Sequence, residues 1–163
     1  NNSIDTNGPR CVCGLDACLT TFLGTQALVE RAEAELRAAG SDRPAPTSID
    51  DLVTAALDGD PISVELIRYA GNTLGVGIAN MLNLLNPKTV VLGGGIARAG
   101  NIVVDAVHET ISGLSLPASI SNTEIKTTAL NEWGIALGAA TLALETALQT
   151  PSLFPAYATG AAE

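Results

Sequence analysis

The fold of this chain is decided by the segment Asn83-Leu84-Leu85-Asn86-Pro87-Lys88-Thr89-Val90-Val91-Leu92-Gly93-Gly94-Gly95-Ile96. Asn86-Pro87 ends a preceding helix, because the residue before a proline is driven away from helical backbone angles. Thr89 to Leu92 is a short aliphatic run between a proline and three glycines, which predicts a buried strand. A helix, a strand and a glycine turn in direct succession favour an α/β fold.

The flanking sequence adds helices and one more strand. Apolar spacings of three and four predict helices, and the alternation from Glu124 to Thr128 predicts a second strand. Two strands make a poor sheet on their own. We therefore expect a helix-rich lobe with few strands, which belongs to a larger protein or pairs with another copy. The predicted helices cover residues 19–39, about 48–57, 61–85, 101–112 and about 131–148.

The helix over 61–85 is the longest of these. Gly71, Gly75, Gly77 and Ala79 would let a second backbone approach it closely. Asp60-Pro61 opens it, since proline suits the first helical position. Its predicted apolar stripe consists of Ile67, Ala70, Leu74, Ile78, Met81, Leu82 and Leu85.

Length and composition bound the kind of protein. The 163 residues suit one domain, and the net charge of −9 argues against direct nucleic-acid binding by this chain. There is no apolar run of eighteen residues and no visible signal peptide, so we expect a cytoplasmic protein without a membrane partner. The stretch after Thr150 is expected to be a loose tail.

Three cysteines lie within eight residues, at Cys11, Cys13 and Cys18. Zinc takes four ligands, commonly with three thiolates among them, so the cluster predicts a zinc site or a degenerate one. The alternative is a disulfide with a spare thiol, but Cys11 and Cys13 are too close in sequence for an unstrained bridge. His108 is the only histidine and could be a fourth ligand, although a lone histidine on an amphipathic helix is typically a surface residue.

The triple glycine Gly93-Gly94-Gly95 follows a strand and precedes a helix. Such a turn can bring backbone amides close to an anionic ligand such as a nucleotide. It matches neither GxGxxG nor a P-loop, and a tight strand-to-helix turn is the simpler interpretation.

Together these motifs resemble the ROK family (repressors, open reading frames and sugar kinases). The segments concerned are 7–14 with Cys18-Leu19, 83–96, and Gly134-Ile135-Ala136-Leu137-Gly138-Ala139-Ala140, in the family's order. The resemblance implies an actin-like, ribonuclease-H-type ATPase fold with two lobes around a sugar cleft. Residues 1–150 would form a C-terminal lobe and 151–163 a tail.

The sequence departs from the family pattern at positions that bear on chemistry. Members usually carry a Glu-x-Gly-His segment whose His joins Cys11, Cys13 and Cys18 on zinc, and that His position falls at about Asn1 here. A sugar-contacting Glu is expected where this chain has Thr20, and Ala17 replaces a preferred Gly. The Asp that accepts the sugar's proton has no match, and Asp50, Asp51, Asp58 and Asp60 are expected on solvated caps and loops.

Three functions are consistent with this resemblance. The preferred one is the sugar-sensing and dimerisation lobe of a ROK transcriptional regulator, which is not catalytically competent alone. The second is a lobe of an ATP-dependent kinase of hexoses or N-acyl hexosamines, for which Gly93, Gly94 and Gly95 would lie beside ATP and magnesium. The third is a structural or dimerising module. A small sugar and a second copy of the chain are the expected partners.

Overall fold

The computed structural model describes residues 3–5, 7–130 and 133–150. The chain divides into two compact units, one up to Asn131 and one from Glu132 onward. The predicted single lobe over 1–150 stays a prediction, and the predicted tail 151–163 lies outside the described residues.

The first unit is built around one long helix, α4. It runs from Pro61 to Leu85, as predicted. The Asp60 side chain accepts a hydrogen bond from the Ser63 amide at its start, and Asn86 ends it in a left-handed conformation with φ of 44°. The predicted apolar stripe is correct for Ile67, Ala70, Ile78 and Leu82, which are buried, whereas Met81 and Leu85 are exposed near the helix end.

Besides α4, the described residues form six helices and a short 3-10 turn. Their bounds are α1 Leu19–Leu23, α2 Thr25–Ala38, α3 Ile49–Leu57, the 3-10 turn Gly95–Ala99, α5 Asn101–Leu114, α6 Pro117–Ser121 and α7 Gly134–Gln149.

The predicted single helix over 19–39 is wrong. Gly24 has an extended ψ of 146° and divides the segment into α1 and α2. Its amide donates to the Thr20 carbonyl and closes α1, while its own carbonyl accepts from Leu28 and opens α2. The apolar spacing continues across the break because Leu23 and Leu28 both pack on the same core.

Helix α5 packs closely along α4 because α4 has glycines at the contact. A Cβ atom on Gly71 would lie 2.7 Å from the Ala106 Cβ and 2.9 Å from the Val103 carbonyl oxygen. One on Gly75 would lie 2.6 Å from the Thr110 Cβ. The predicted close approach of a second backbone at these glycines is therefore met within the chain.

The described residues hold one small sheet of two parallel strands, β1 at Thr89–Leu92 and β2 at Glu124–Thr127. The register pairs Thr89 with Glu124 and Leu92 with Thr127. Val90, Leu92 and Ile125 face the core of the first unit, and Val91 is exposed. Both strands were expected from the sequence; α6 and the 3-10 turn were not, since each has only five residues.

The described part of the second unit consists mainly of α7. Its sixteen residues include one charged side chain, Glu145. The predicted start at Asn131 or Glu132 lies outside the described residues. Within the described ranges, no helix is long and apolar enough to cross a bilayer.

Candidate metal centre and glycine turn

The three cysteines lie in a compact loop between Gly8 and α1. Isolated antiparallel bridges join Arg10 to Asp16 and Ser3 to Cys18. Within the loop, the Cys11 amide donates to the Leu15 carbonyl at 2.8 Å, and the Ala17 amide donates to the Pro9 carbonyl at 2.9 Å. Glycine is required at position 8, because a Cβ there would lie 2.4 Å from the Ala17 Cβ.

Two left-handed residues make the loop reverse direction. Gly14 has φ of 91°, which glycine adopts at no steric cost, and Ala17 has φ of 53°. Ala17 is also fully buried. The alanine at the position where the ROK pattern prefers glycine is therefore held in a conformation that L residues rarely adopt, and its burial in the loop keeps it there.

The loop brings the three sulfur atoms together. All three Sγ atoms lie within 4.8 Å of one another, and those of Cys13 and Cys18 are 3.5 Å apart. Thiolates around a tetrahedral zinc lie about 3.8 Å apart, given Zn–S bonds of about 2.3 Å. The cluster therefore fits three corners of a tetrahedral metal site.

The protein environment separates the acidities of these thiols. A hydrogen bond from the Leu15 backbone amide, followed by contacts with Cys11 and Cys18, lowers the pKa of Cys13, which is exposed. Burial raises the pKa of Cys18 to about 11. Cys13 is thus more ready than Cys18 to act as a thiolate.

The fourth ligand is not supplied by the residues predicted from sequence. His108 is half-buried on α5 and does not belong to the cluster, which contains only cysteines among the described residues. The position at about Asn1, where the family pattern has its His, lies outside the described residues.

Thr20 follows the cysteine loop directly. It is the second residue of α1, two positions after Cys18, and it is exposed. The thiol cluster and the start of α1 are thus one continuous local structure, so the position of Thr20 depends on that of the cysteines.

The glycine turn lies at the carboxyl end of β1. Gly94 has φ of 82°, and a Cβ built on it would meet no atom within 4 Å, so its backbone is open to a neighbouring molecule. Gly95 instead packs on α3, since a Cβ there would lie 2.6 Å from Ile49 Cγ2. Arg98 forms an ion pair with Asp50 that joins the 3-10 turn to α3. This geometry is consistent with a tight strand-to-helix turn and also with a backbone that a ligand could approach at Gly94.

Sequence reasoning missed a second polar cluster, under the loop that joins α2 and α3. Asp60 was expected to be solvated, but its side chain is only 9% exposed, with Arg43 at 2.7 Å. Burial opposes the ionisation of Asp60, but hydrogen bonds from Ser63 and Arg43 outweigh it and lower the pKa of the carboxyl group. The residues border a cavity of about 330 Å³ that Pro44, Pro46 and Asp51 also line.

Asp51 was also expected on a solvated cap, and it is exposed at the start of α3. Its carboxylate accepts hydrogen bonds from the Thr47 hydroxyl at 2.8 Å and the Thr47 amide at 3.0 Å. These bonds lower the pKa of Asp51. The prediction for this residue is thus correct in position, with specific partners added.

Comparison with known proteins decides the family. The sequence model of the ROK family matches residues 2–146. The chain belongs to the ROK family. It is 30% identical over 142 residues to the DNA-binding transcriptional repressor Mlc of Escherichia coli strain K12, covering 86% of this chain and 35% of the repressor.

ROK relatives of this chain also include enzymes. It is 28% identical over 141 residues to a glucokinase of Halalkalibacterium halodurans, covering 81% of this chain and 42% of that protein. The crystal structure of a ROK family glucokinase from Streptomyces griseus, in complex with glucose and AMPPNP, superposes with a TM-score of 0.73 at 24% identity. That superposition covers 88% of this chain and 50% of the glucokinase, and it confirms the actin-like ATPase fold.

The chain spans about a third of the repressor and less than half of the curated glucokinase. Similarity alone therefore leaves two functional classes for this ROK chain, regulators and sugar kinases.

Proposed function

We propose that this chain is the sugar-sensing lobe of a ROK transcriptional regulator and does not transfer phosphate by itself. The observation that carries the proposal is Thr20, an exposed threonine directly after the thiol cluster, where the family resemblance implies a sugar-contacting Glu. A hydroxyl forms weaker hydrogen bonds to sugar hydroxyls than a carboxylate does. A sensor tolerates weak binding better than a kinase that must hold its substrate in line for transfer.

Cys11, Cys13 and Cys18 would hold a zinc ion in a structural role. Three thiolates supply three of the four ligands that zinc usually takes, and the ion would fix the loop from which α1 and Thr20 begin. The metal would thus position the sugar-contacting region and take no part in bond making.

We infer that the proposed lobe lacks the Asp that serves this family as the general base toward a sugar hydroxyl. Such a base must lie within hydrogen-bond reach of the proton that it removes. The resemblance places that Asp in a part of the family fold with no counterpart in the sequence of this chain. The acidic Asp60 and Asp51 are already engaged by Arg43, Ser63 and Thr47.

A regulator of this kind would act in the cytoplasm and as a homo-oligomer, with DNA contacted by a different part of the protein. The net charge of −9 supports the assignment of DNA binding to a different part of the protein, because binding to DNA phosphates requires clustered basic side chains.

A kinase lobe is the second candidate, and the open backbone of Gly94 favours it. An exposed glycine turn at the end of a strand can lie against a nucleotide, and ATP with magnesium would then supply the phosphoryl group. A purely structural module has less support from α4, because Gly71 and Gly75 are already covered by α5.

The gene region immediately upstream of the codon for Asn1 tests the choice between the first two. An encoded helix-turn-helix supports the regulator. An encoded Asp-x-Gly-x-Thr phosphate loop without a helix-turn-helix would overturn it in favour of the kinase.

A further inference from the structure

We propose that, when no metal is bound, Cys13 and Cys18 form an intramolecular disulfide and leave Cys11 as a free thiol. The Sγ atoms of Cys13 and Cys18 already lie 3.5 Å apart, and the two residues are five positions apart in sequence. This inference needs only the three thiols and does not depend on whether the chain belongs to a regulator or a kinase.

Exposure and spacing select this pair among the three thiols. Cys13 is exposed, whereas Cys11 and Cys18 are 5% and 0% exposed, so a dissolved oxidant reaches Cys13 first. Cys11 is an unsuitable partner for Cys13, because a single intervening residue prevents unstrained disulfide geometry. Cys18 is therefore the thiol positioned to resolve oxidised Cys13.

The backbone between the two residues is already folded into a closed turn. The Gly14 amide donates to the Cys11 carbonyl at 3.0 Å, and the left-handed Gly14 and Ala17 reverse the chain twice. Cys18 is fixed by its bridge to Ser3 and by the start of α1. Formation of the Cys13–Cys18 disulfide thus requires mainly a movement of the exposed Cys13 side chain.

The oxidant we infer is a hydroperoxide such as hydrogen peroxide. Deprotonated Cys13 sulfur attacks one peroxide oxygen, the O–O bond breaks, and the departing hydroxide takes a proton to become water. Cys18 sulfur then attacks the sulfenic sulfur of Cys13, the S–O bond breaks, and the expelled hydroxide takes the Cys18 proton. Two thiols are oxidised, and one peroxide is reduced to two waters.

Metal binding and this oxidation exclude each other. A thiolate that donates its lone pair to zinc is a poorer nucleophile toward peroxide, and a disulfide cannot supply two thiolate ligands. The loop would therefore have two alternative closed forms, one held by metal and one by a disulfide.

The test uses the full chain, reduced and freed of metal with a chelator, then treated with an equimolar amount of hydrogen peroxide. We expect titratable thiols to fall from three to one and the monomer mass to fall by two hydrogen atoms. Fragment-ion mapping after alkylation should place the remaining thiol at Cys11 and the bond between Cys13 and Cys18. A portion loaded with zinc beforehand should keep its three thiols for longer.

Serine variants of the three cysteines test which two thiols form the bond. Cys11→Ser should still form the bond, whereas Cys13→Ser and Cys18→Ser should not. A bond that includes Cys11, a disulfide-linked dimer as the main product, or Cys13 oxidised beyond sulfenic acid while Cys18 stays free would each overturn the proposal. Mapping of the unaltered chain decides the matter even where a variant fails to fold.

Discussion

At the residue scale, the cysteine cluster could be predicted from the sequence, whereas the burial of Asp60 could not. The cysteine spacing pointed to a metal site, and the three sulfur atoms converge as that spacing implied. The burial of Asp60 was not visible, because a capping Asp has the same sequence pattern whether or not a distant loop covers it. Arg43 provides that cover from 17 positions earlier in the chain.

We expect the chelated and dialysed chain to rebind zinc weakly, since three protein ligands are evident. Cys13→Ser should lower the affinity for cobalt, used as a spectroscopic substitute, by at least about tenfold, as the loss of a ligand removes a metal–sulfur bond. Thiolate-to-cobalt absorption measures this, with the exposed neighbour variant Val12→Ala as the control. One tight zinc per chain after dialysis would mean that a fourth ligand completes the site.

Thr20→Glu should strengthen sugar binding about tenfold or more, because a hydrogen bond to a charged group is worth about 1.5–3 kcal/mol. Titration of a hexose panel monitored by NMR measures the affinity. Thr25→Glu is the matched control, as it makes the same change at another exposed threonine at the start of α2. Equal gains in both variants, or none in Thr20→Glu, would contradict the assigned role of position 20.

Asp60 should make the protein sensitive to acid. Its folded-state pKa lies below the ordinary value of 3.8, so its stabilisation is complete above that value and is lost as the pH falls through the folded pKa. Urea denaturation from neutral pH downward should show this loss, and Asp60→Asn should reduce it. Asp42→Asn, at an exposed position of the loop between α2 and α3, controls for the removal of one charge. If Asp60→Asn lost as much stability at low pH as the unaltered chain, the argument would be refuted.

At the scale of elements, prolines and capping residues set the ends of helices that could be predicted from sequence. The features that were missed depend on contacts between residues distant in sequence. Helix α4 begins and ends where Pro61 and Asn86-Pro87 indicated, since these residues act through their own backbone angles. The break at Gly24 was missed because glycine is tolerated within helices and the apolar spacing runs through it. Helix α6 is too short to show a period, and the parallel pairing of β1 with β2 depends on residues 35 positions apart.

The contact between α4 and α5 gives a prediction at this scale. Gly71→Ala should destabilise the fold by about 1–3 kcal/mol, because the new methyl group meets the Val103 carbonyl oxygen and the Ala106 Cβ at fixed positions. This cost exceeds the helix-propensity gain of about 1 kcal/mol.

The matched control is Gly113→Ala on α5, where a Cβ would meet nothing within 4 Å. It should stabilise the fold by about 0.5–1 kcal/mol. Urea denaturation measures both variants. If Gly71→Ala proved as stable as Gly113→Ala, the α4–α5 packing described above would be wrong.

At the scale of the whole molecule, the chain corresponds to a limited part of the ROK proteins that it resembles. It spans 35% of the repressor and 42% of the curated glucokinase that it resembles, and its sheet has two strands in the described residues. The fold family was predictable because three motifs occur in the right order. The functional class was not, because regulators and kinases share those motifs.

The central claim is that this lobe senses a sugar without phosphorylating it. One NMR sample of the chain with Mg-ATP and a panel of hexoses and N-acyl hexosamines tests it, with saturation transfer reporting binding and phosphorus spectra reporting turnover. We predict saturation transfer to at least one sugar and no sugar phosphate. Formation of a sugar phosphate, or the absence of transfer to every sugar in the panel, would contradict the claim.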